Sequence, residues 1–167
     1  MKDSNKSLFN FPASDYGPEY RTHLVEQYKL YVQMTDRIGD RRQTANSFFL
    51  SMNTALLAFL GISTGRRPEP LPWAFVVVVA LIGLTLCYFW HRLIRSYRDL
   101  SRVKFELVHA LESRLPAALY ATEWRNVEEK GPGKRGSYLQ FTSIESRFPW
   151  VFATLYMFLA LWTFLLR

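Results

Sequence analysis

The sequence is poor in the residues that build catalytic and metal sites. Its 167 residues include one cysteine, Cys87, which cannot form an intramolecular disulfide and is expected to be a small packing residue. Three histidines, His23, His91 and His109, lie far apart and lack the spacing of metal ligands. No Ser-His-Asp arrangement can be argued from these positions. We therefore predict that the protein is not an enzyme and carries no metal and no cofactor.

Charge is absent from three long apolar stretches, 46–64, 71–90 and 149–166. A membrane-spanning helix needs about 17–25 mostly apolar residues, so each stretch qualifies. Proton relays and ion-coupled transporters place an ionisable residue at membrane depth, which none of the three offers. Three spans are also too few for the inverted repeats of such transporters. The first forty residues are polar, so no cleaved signal peptide is expected.

These stretches predict an all-α membrane protein with three transmembrane helices, an amphipathic N-terminal helix and a long cytoplasmic helical extension of the second span. The expected segments are a cytoplasmic tail with the amphipathic helix (1–45), transmembrane helix 1 (46–64), an external loop (65–70), transmembrane helix 2 (71–90), a cytoplasmic helical module (91–148) and transmembrane helix 3 (149–166).

The distribution of basic residues predicts the orientation in the membrane. Of 21 Lys and Arg, seven lie in 1–45 and eleven in 91–148, against two in the loop and one after the third span. Cytoplasmic segments of membrane proteins carry the excess of Lys and Arg. The N-terminus is therefore expected in the cytoplasm and the C-terminus outside it.

Helical periodicity extends beyond the apolar stretches. Apolar residues at spacings of three and four predict an apolar face on the N-terminal helix: Leu24, Tyr28, Tyr31, Met34 and Ile38. This face either packs on the other cytoplasmic helix or lies on the lipid surface, and the mixed charges of the helix favour packing. The periodicity also continues past the second span as far as Pro116. A single helix from about 72 to 115, roughly 65 Å long at about 1.5 Å per residue, is therefore expected.

The first span carries a stripe of small residues at spacings of three and four. Such residues let membrane helices approach closely, and two asparagines border the stripe. We predict that this seam forms an oligomer interface or lines a pore; it comprises Asn46, Ser47, Ser51, Asn53, Thr54, Ala58 and Gly61.

A second set of candidate residues is basic and is expected at the membrane surface: Arg41, Arg42, His91, Arg95, Arg98 and Arg102. One interpretation is that they anchor the topology and contact anionic phospholipids. For Arg41 and Arg42 the alternative is a gate or a ligand contact at the inner mouth of a pore. For the stripe of His91, Arg95, Arg98 and Arg102 the alternative is a site for nucleotide or RNA phosphate. Since aromatic residues do not interleave with them as in RNA-binding surfaces, nucleic acid is not expected as a partner.

Three tracts resemble the RipA family of small bacterial inner-membrane proteins: EQYKLYVQMTDRI (26–38), RRQTANSFF (41–49) and YLQFTSIESRFPWVFATLY (138–156). The resemblance implies a ring-forming octamer in the bacterial inner membrane. A looser likeness exists to SLATT-type anti-phage membrane effectors and to the membrane pore protein associated with Cas13b. The Arg-x4-His motif associated with that pore protein is not matched, because six residues separate Arg102 from His109. No nuclease role therefore carries over.

The seam and the resemblance favour an oligomeric, ring- or pore-forming membrane effector in phage defence or in envelope or stress adaptation. The alternative is a non-conducting scaffold or adaptor whose cytoplasmic helical ring docks a protein, lipid or nucleic-acid partner. Small and hydroxyl residues also drive ordinary helix packing, so the seam alone does not separate the two hypotheses.

Overall fold

The computed structural model describes residues 8–65, 71–129 and 145–165, and the regular elements in these ranges are helices. They are α1 (Ala13–Tyr16), α2 (Tyr20–Gly65), α3 (Trp73–Glu112), α4 (Leu119–Glu129) and α5 (Phe148–Leu165). The all-α prediction is confirmed. Apart from Gly65, the expected external loop lies outside the described residues.

Three of these helices, α2, α3 and α5, are long and apolar enough to cross a membrane. This confirms the three expected spans. The predicted amphipathic helix and the first span form one helix of 46 residues, which continues through Gly39 without interruption. The second span and its extension form one helix of 40 residues, which ends at Glu112. At about 1.5 Å per residue, α3 is roughly 60 Å long.

The chain divides into two compact units, and both α2 and α3 contribute to each of them. The spanning unit consists of Asp40–Asp99 and Leu139–Arg167. The polar unit consists of Met1–Gly39 and Leu100–Tyr138.

The core of the spanning unit forms where α5 packs on α3. Ala80, Cys87 and Tyr156 are buried together, and the Tyr156 ring lies directly over Gly83. Any Cβ at position 83 would overlap ring atoms of Tyr156, so the close approach requires glycine there. The large apolar side chains on the outside of this unit suit contact with lipid, which is as apolar as they are.

The polar unit packs the first part of α2 on the last part of α3. Leu24 and Ile38 of α2 are buried, as predicted, together with Val108 of α3. The prediction for Met34 is wrong, because 53% of its surface is exposed. The neighbouring Thr35 is buried instead, and its hydroxyl donates a hydrogen bond of 2.9 Å to the Tyr31 carbonyl, so this buried polar group has a partner.

Candidate functional site

The small residues of the predicted seam lie on the surface of the single chain. Ser47, Ser51, Thr54, Ala58 and Gly61 are all exposed. Among the residues that the structure describes, no heavy atom of another element approaches within 4 Å of the position that a Cβ on Gly61 would occupy. This face of α2 is therefore available to a neighbouring subunit or to a central lumen, and its assembly role stays a prediction.

The two asparagines predicted to border the seam point into the chain's own core instead. Successive residues of an α-helix differ by roughly 100° around its axis, so Asn46 and Ser47 point in different directions. The Trp90 indole donates a hydrogen bond of 2.9 Å to Oδ1 of Asn46. The same indole stacks on the Phe49 ring at a centroid distance of 6.0 Å. Asn46 therefore fixes α2 against α3 at this level.

Asn53 is the centre of a polar junction among all three spans. The residue is completely buried. Its Nδ2 donates to the Phe49 carbonyl at 2.8 Å, and its Oδ1 accepts a hydrogen bond from the Cys87 thiol at 3.5 Å. Its backbone carbonyl accepts from the Tyr156 hydroxyl at 3.3 Å. Polar groups at membrane depth need such internal partners, because lipid supplies none.

The predicted basic residues of the spanning unit occupy different environments. Nε of Arg42 lies 3.5 Å from a carboxylate oxygen of Glu145. The His91 ring is half-buried and packs edge-on to Trp150 at a centroid distance of 5.4 Å. Arg41, Arg95 and Arg98 are exposed. In the polar unit Arg102 is exposed as well, so four of the six predicted basic residues are exposed.

Glu112 is a buried carboxylate of the polar unit that the sequence did not point to. It is only 1% exposed and lies at the end of α3. Its oxygens accept hydrogen bonds from the Tyr28 hydroxyl at 2.8 Å and from the backbone N–H groups of Tyr120 at 2.9 Å and Ala121 at 3.1 Å. One side chain thus joins α2 and α3 and caps the first turn of α4, where a negative charge is favourable.

The ionisation of Glu112 follows from these contacts. Burial acts to raise the pKa of its carboxyl, but the N–H groups of Tyr120 and Ala121, the Tyr28 hydroxyl and the charge of His109 outweigh burial and hold it below its usual value. Burial and the hydrogen bond to Glu112 raise the pKa of Tyr28 to about 12. Glu112 is therefore a carboxylate at neutral pH, and Tyr28 is its neutral donor.

No group of three or more His, Cys, Asp and Glu side chains comes together as a metal site within the described ranges. The arrangement is one of helix packing and helix capping, with two surfaces, the seam and the exposed arginines, directed away from the chain.

The geometry is that of a membrane subunit whose first span presents a small-residue face outward, and the comparison with known families agrees with it. Residues 25–165 match the octameric membrane protein family. The chain belongs to this family. Neither the curated proteins nor the solved structures contain a match. The match and the three apolar helices identify an oligomeric membrane protein that associates with itself. This agrees with the octamer that the sequence resemblance implied, whereas the narrower likenesses to RipA, SLATT-type effectors and the Cas13b-associated protein stay predictions.

Sequence reasoning missed two features that decide the packing, and both depend on distant partners. Tyr156 reaches Asn53 across 103 positions of sequence, and no local pattern marks such a pair. A capping side chain normally belongs to the residue that directly flanks the first turn of its helix. Glu112 instead lies eight residues before Tyr120, the first residue of α4 whose N–H group donates to it.

Proposed function

We propose that this family member is one subunit of a pore-forming ring in the bacterial inner membrane, with the seam of α2 lining the central path and no catalytic step. The observation that supports it is the exposure of Ser47, Ser51 and Thr54 in the single chain. Elsewhere on the same span the exposed residues include large apolar ones such as Phe48 and Met52.

The two kinds of surface favour different surroundings. Hydroxyl groups gain hydrogen bonds from water in a lumen, and lipid offers them none. Large apolar side chains gain nothing from a lumen and are stable in lipid or against another helix. In a ring of identical subunits, the arrangement that suits both places the seam toward the axis and Phe48 and Met52 away from it.

The setting of this pore is proposed from the sequence. The N-terminus and the polar unit lie in the cytoplasm and the C-terminus outside, because the basic residues concentrate in the former. Exposed Arg95, Arg98 and Arg102 contact anionic phospholipids. The resemblance to anti-phage and stress-related membrane proteins supports a role as an effector in phage defence or envelope adaptation. The alternative, a non-conducting scaffold that docks a cytoplasmic protein, differs in the absence of conduction.

Ion flux through purified protein in liposomes tests the pore. A thiol at position 51 replaces one small polar group by another, so Ser51→Cys is expected to assemble normally. A charged methanethiosulfonate reagent should then lower the flux through Ser51→Cys several-fold. The matched control is Met52→Cys, which lies one position further along the same span and is 43% exposed. Its flux, like that of wild type with its buried Cys87, should stay unchanged.

Two results would contradict the proposal in different ways. An intact oligomer without flux would exclude a pore and favour the scaffold. Flux that responds to the reagent in Met52→Cys but not in Ser51→Cys would place the seam away from the lumen.

A further inference from the structure

In the polar unit the first part of α2 and the last part of α3 lie side by side in opposite directions, a pair called here the hairpin, and α4 covers one side of it. The Tyr28–Glu112 hydrogen bond and the Lys104 ammonium, 4.8 Å from the centre of the Tyr31 ring, align α2 with α3. The Tyr120 ring of α4 lies 6.2 Å from the Phe105 ring of α3. Burial raises the pKa of Tyr120, and the charge of Asp36 on α2 adds to it. Phe105 and Asp36 therefore mark the side of the hairpin that α4 covers.

The opposite side of the hairpin exposes four large apolar residues. Leu30 is 62% exposed and Met34 53%, and on α3 Leu100 is 46% exposed and Val103 53%. At roughly 100° per residue, each pair lies about a quarter-turn from the face that packs on the other helix. On α2 the pair points away from Asp36, and on α3 it points away from Phe105. Because the helices are antiparallel, both pairs lie on the same side, called here the open face: Leu30, Met34, Leu100 and Val103.

The open face needs a partner that the spanning unit does not need. Exposed apolar residues of a spanning helix are covered by lipid. Charged and exposed residues lie close to the open face, among them Arg37 and Glu106, so we expect water rather than lipid around it. Apolar residues that are adjacent on two helices, unlike ones scattered singly, mark an interaction surface.

A second copy of this chain fits this position best. The family is octameric, and spans in one membrane hold the polar units of neighbouring copies at a high effective concentration. A closed ring is heterologous, so each copy must present two different faces. The side of the hairpin covered by α4 offers the second face, since Leu119 is 69% exposed there and Trp124 47%.

We propose that the open face of one copy packs against α4 of the next copy, so that the polar units form a continuous head-to-tail ring. This rests on the ring assembly proposed above, but not on conduction. The neighbour then covers the open face of each copy, and Leu119, the more exposed of the two apolar residues named on α4, is expected opposite it.

Cysteine cross-linking in the full-length oligomer tests the pairing. Two differently tagged chains, Met34→Cys and Leu119→Cys, are co-expressed and treated with a short bis-maleimide in native membranes. A mixed dimer is expected on a denaturing gel, and a chain with both substitutions should give a ladder of higher species. The control Gln33→Cys replaces an exposed residue one position away, roughly 100° around α2, and should not cross-link to Leu119→Cys. Wild type, with its buried Cys87, gives the background.

Three other results would each contradict a different part of the proposal. Cross-linking of Met34→Cys to itself would show a two-fold contact and overturn the head-to-tail pairing. An intact oligomer without the mixed dimer would show that the open face is covered by something other than α4 of a neighbour. A detergent-purified wild-type chain that runs as a monomer would instead contradict ring assembly itself. As a second readout, Leu30→Gln with Met34→Gln should dissociate the oligomer at detergent concentrations that wild type and Gln33→Ala withstand.

Discussion

Gly83→Ala should destabilise the spanning unit, because the new Cβ would occupy the position of the Tyr156 ring. Overpacking of a tight core costs about 1–3 kcal/mol. Displacing the ring also removes the hydrogen bond of Tyr156 to the Asn53 carbonyl, and such bonds in membrane proteins contribute about 0.6 kcal/mol. Replacing glycine by alanine within a helix stabilises the helix by about 1 kcal/mol, which offsets part of this cost. The net loss is about 2 kcal/mol, which at roughly 2–4 °C per kcal/mol lowers the unfolding midpoint by about 4–8 °C.

The measurement is thermal unfolding of the detergent-purified protein, followed by circular dichroism. Gly39→Ala is the matched control. No heavy atom of the described ranges beyond the neighbouring helix backbone lies within 4 Å of its Cβ position, so the change should be neutral or stabilising. Tyr156→Ala removes the ring, so adding Gly83→Ala to it should cost nothing further. If the two penalties are additive in the double variant, or if Gly83→Ala unfolds at the wild-type midpoint, the packing argument is wrong.

Three further predictions concern pH, orientation and lipid. Because the pKa of Glu112 is lowered in the folded state, its contribution to stability is present above the ordinary carboxyl pKa and is lost as the pH falls through the pKa of the folded state. Thermal unfolding from neutral pH into this acidic range should therefore show a falling midpoint in wild type and a smaller pH dependence of the midpoint in Glu112→Gln. A reporter active only outside the cytoplasm should work when fused after Arg167 and fail when inserted near Gly133, and the reverse pattern would overturn the predicted orientation. Changing Arg95, Arg98 and Arg102 to Gln should leave membrane insertion intact but weaken binding of purified protein to anionic vesicles, most clearly at low salt. If binding is unchanged, these residues do not contact lipid and only determine the topology.

The elements were predictable from the sequence because their signals are local. An uncharged apolar stretch of sufficient length is enough to predict a helix that could span a membrane, and α5 (Phe148–Leu165) coincides with the third such stretch. Periodicity likewise predicted that the second helix continues past its apolar stretch to about residue 115. The observed α3 does continue and ends at Glu112, three residues earlier. Both signals depend on neighbours in sequence and need no knowledge of tertiary contacts.

The roles of single polar residues were less accessible, because distant partners decide them. A search for small polar residues on one helix does not distinguish Asn53 from Ser51. In the structure, Asn53 is buried against Cys87 and Tyr156, while Ser51 is exposed. Met34 fits the apolar spacing of α2 as well as Ile38 does, and only the position of α3 shows that Thr35 takes the buried place.

The polar junction at Asn53 has a consequence for the order of events during synthesis. Asn53 and its partner Tyr156 are separated by 103 residues, which take about 5–20 s to translate at typical rates. Gly83 itself follows Asn53 by 30 residues, so its side toward Tyr156 stays uncovered only for the remaining 73 residues, about 4–15 s at the same rates. Only the arrival of the third span completes the core of the spanning unit. The contact that stabilises the finished subunit is therefore among the last to form during synthesis, after the residues of the seam and of the open face have already been made.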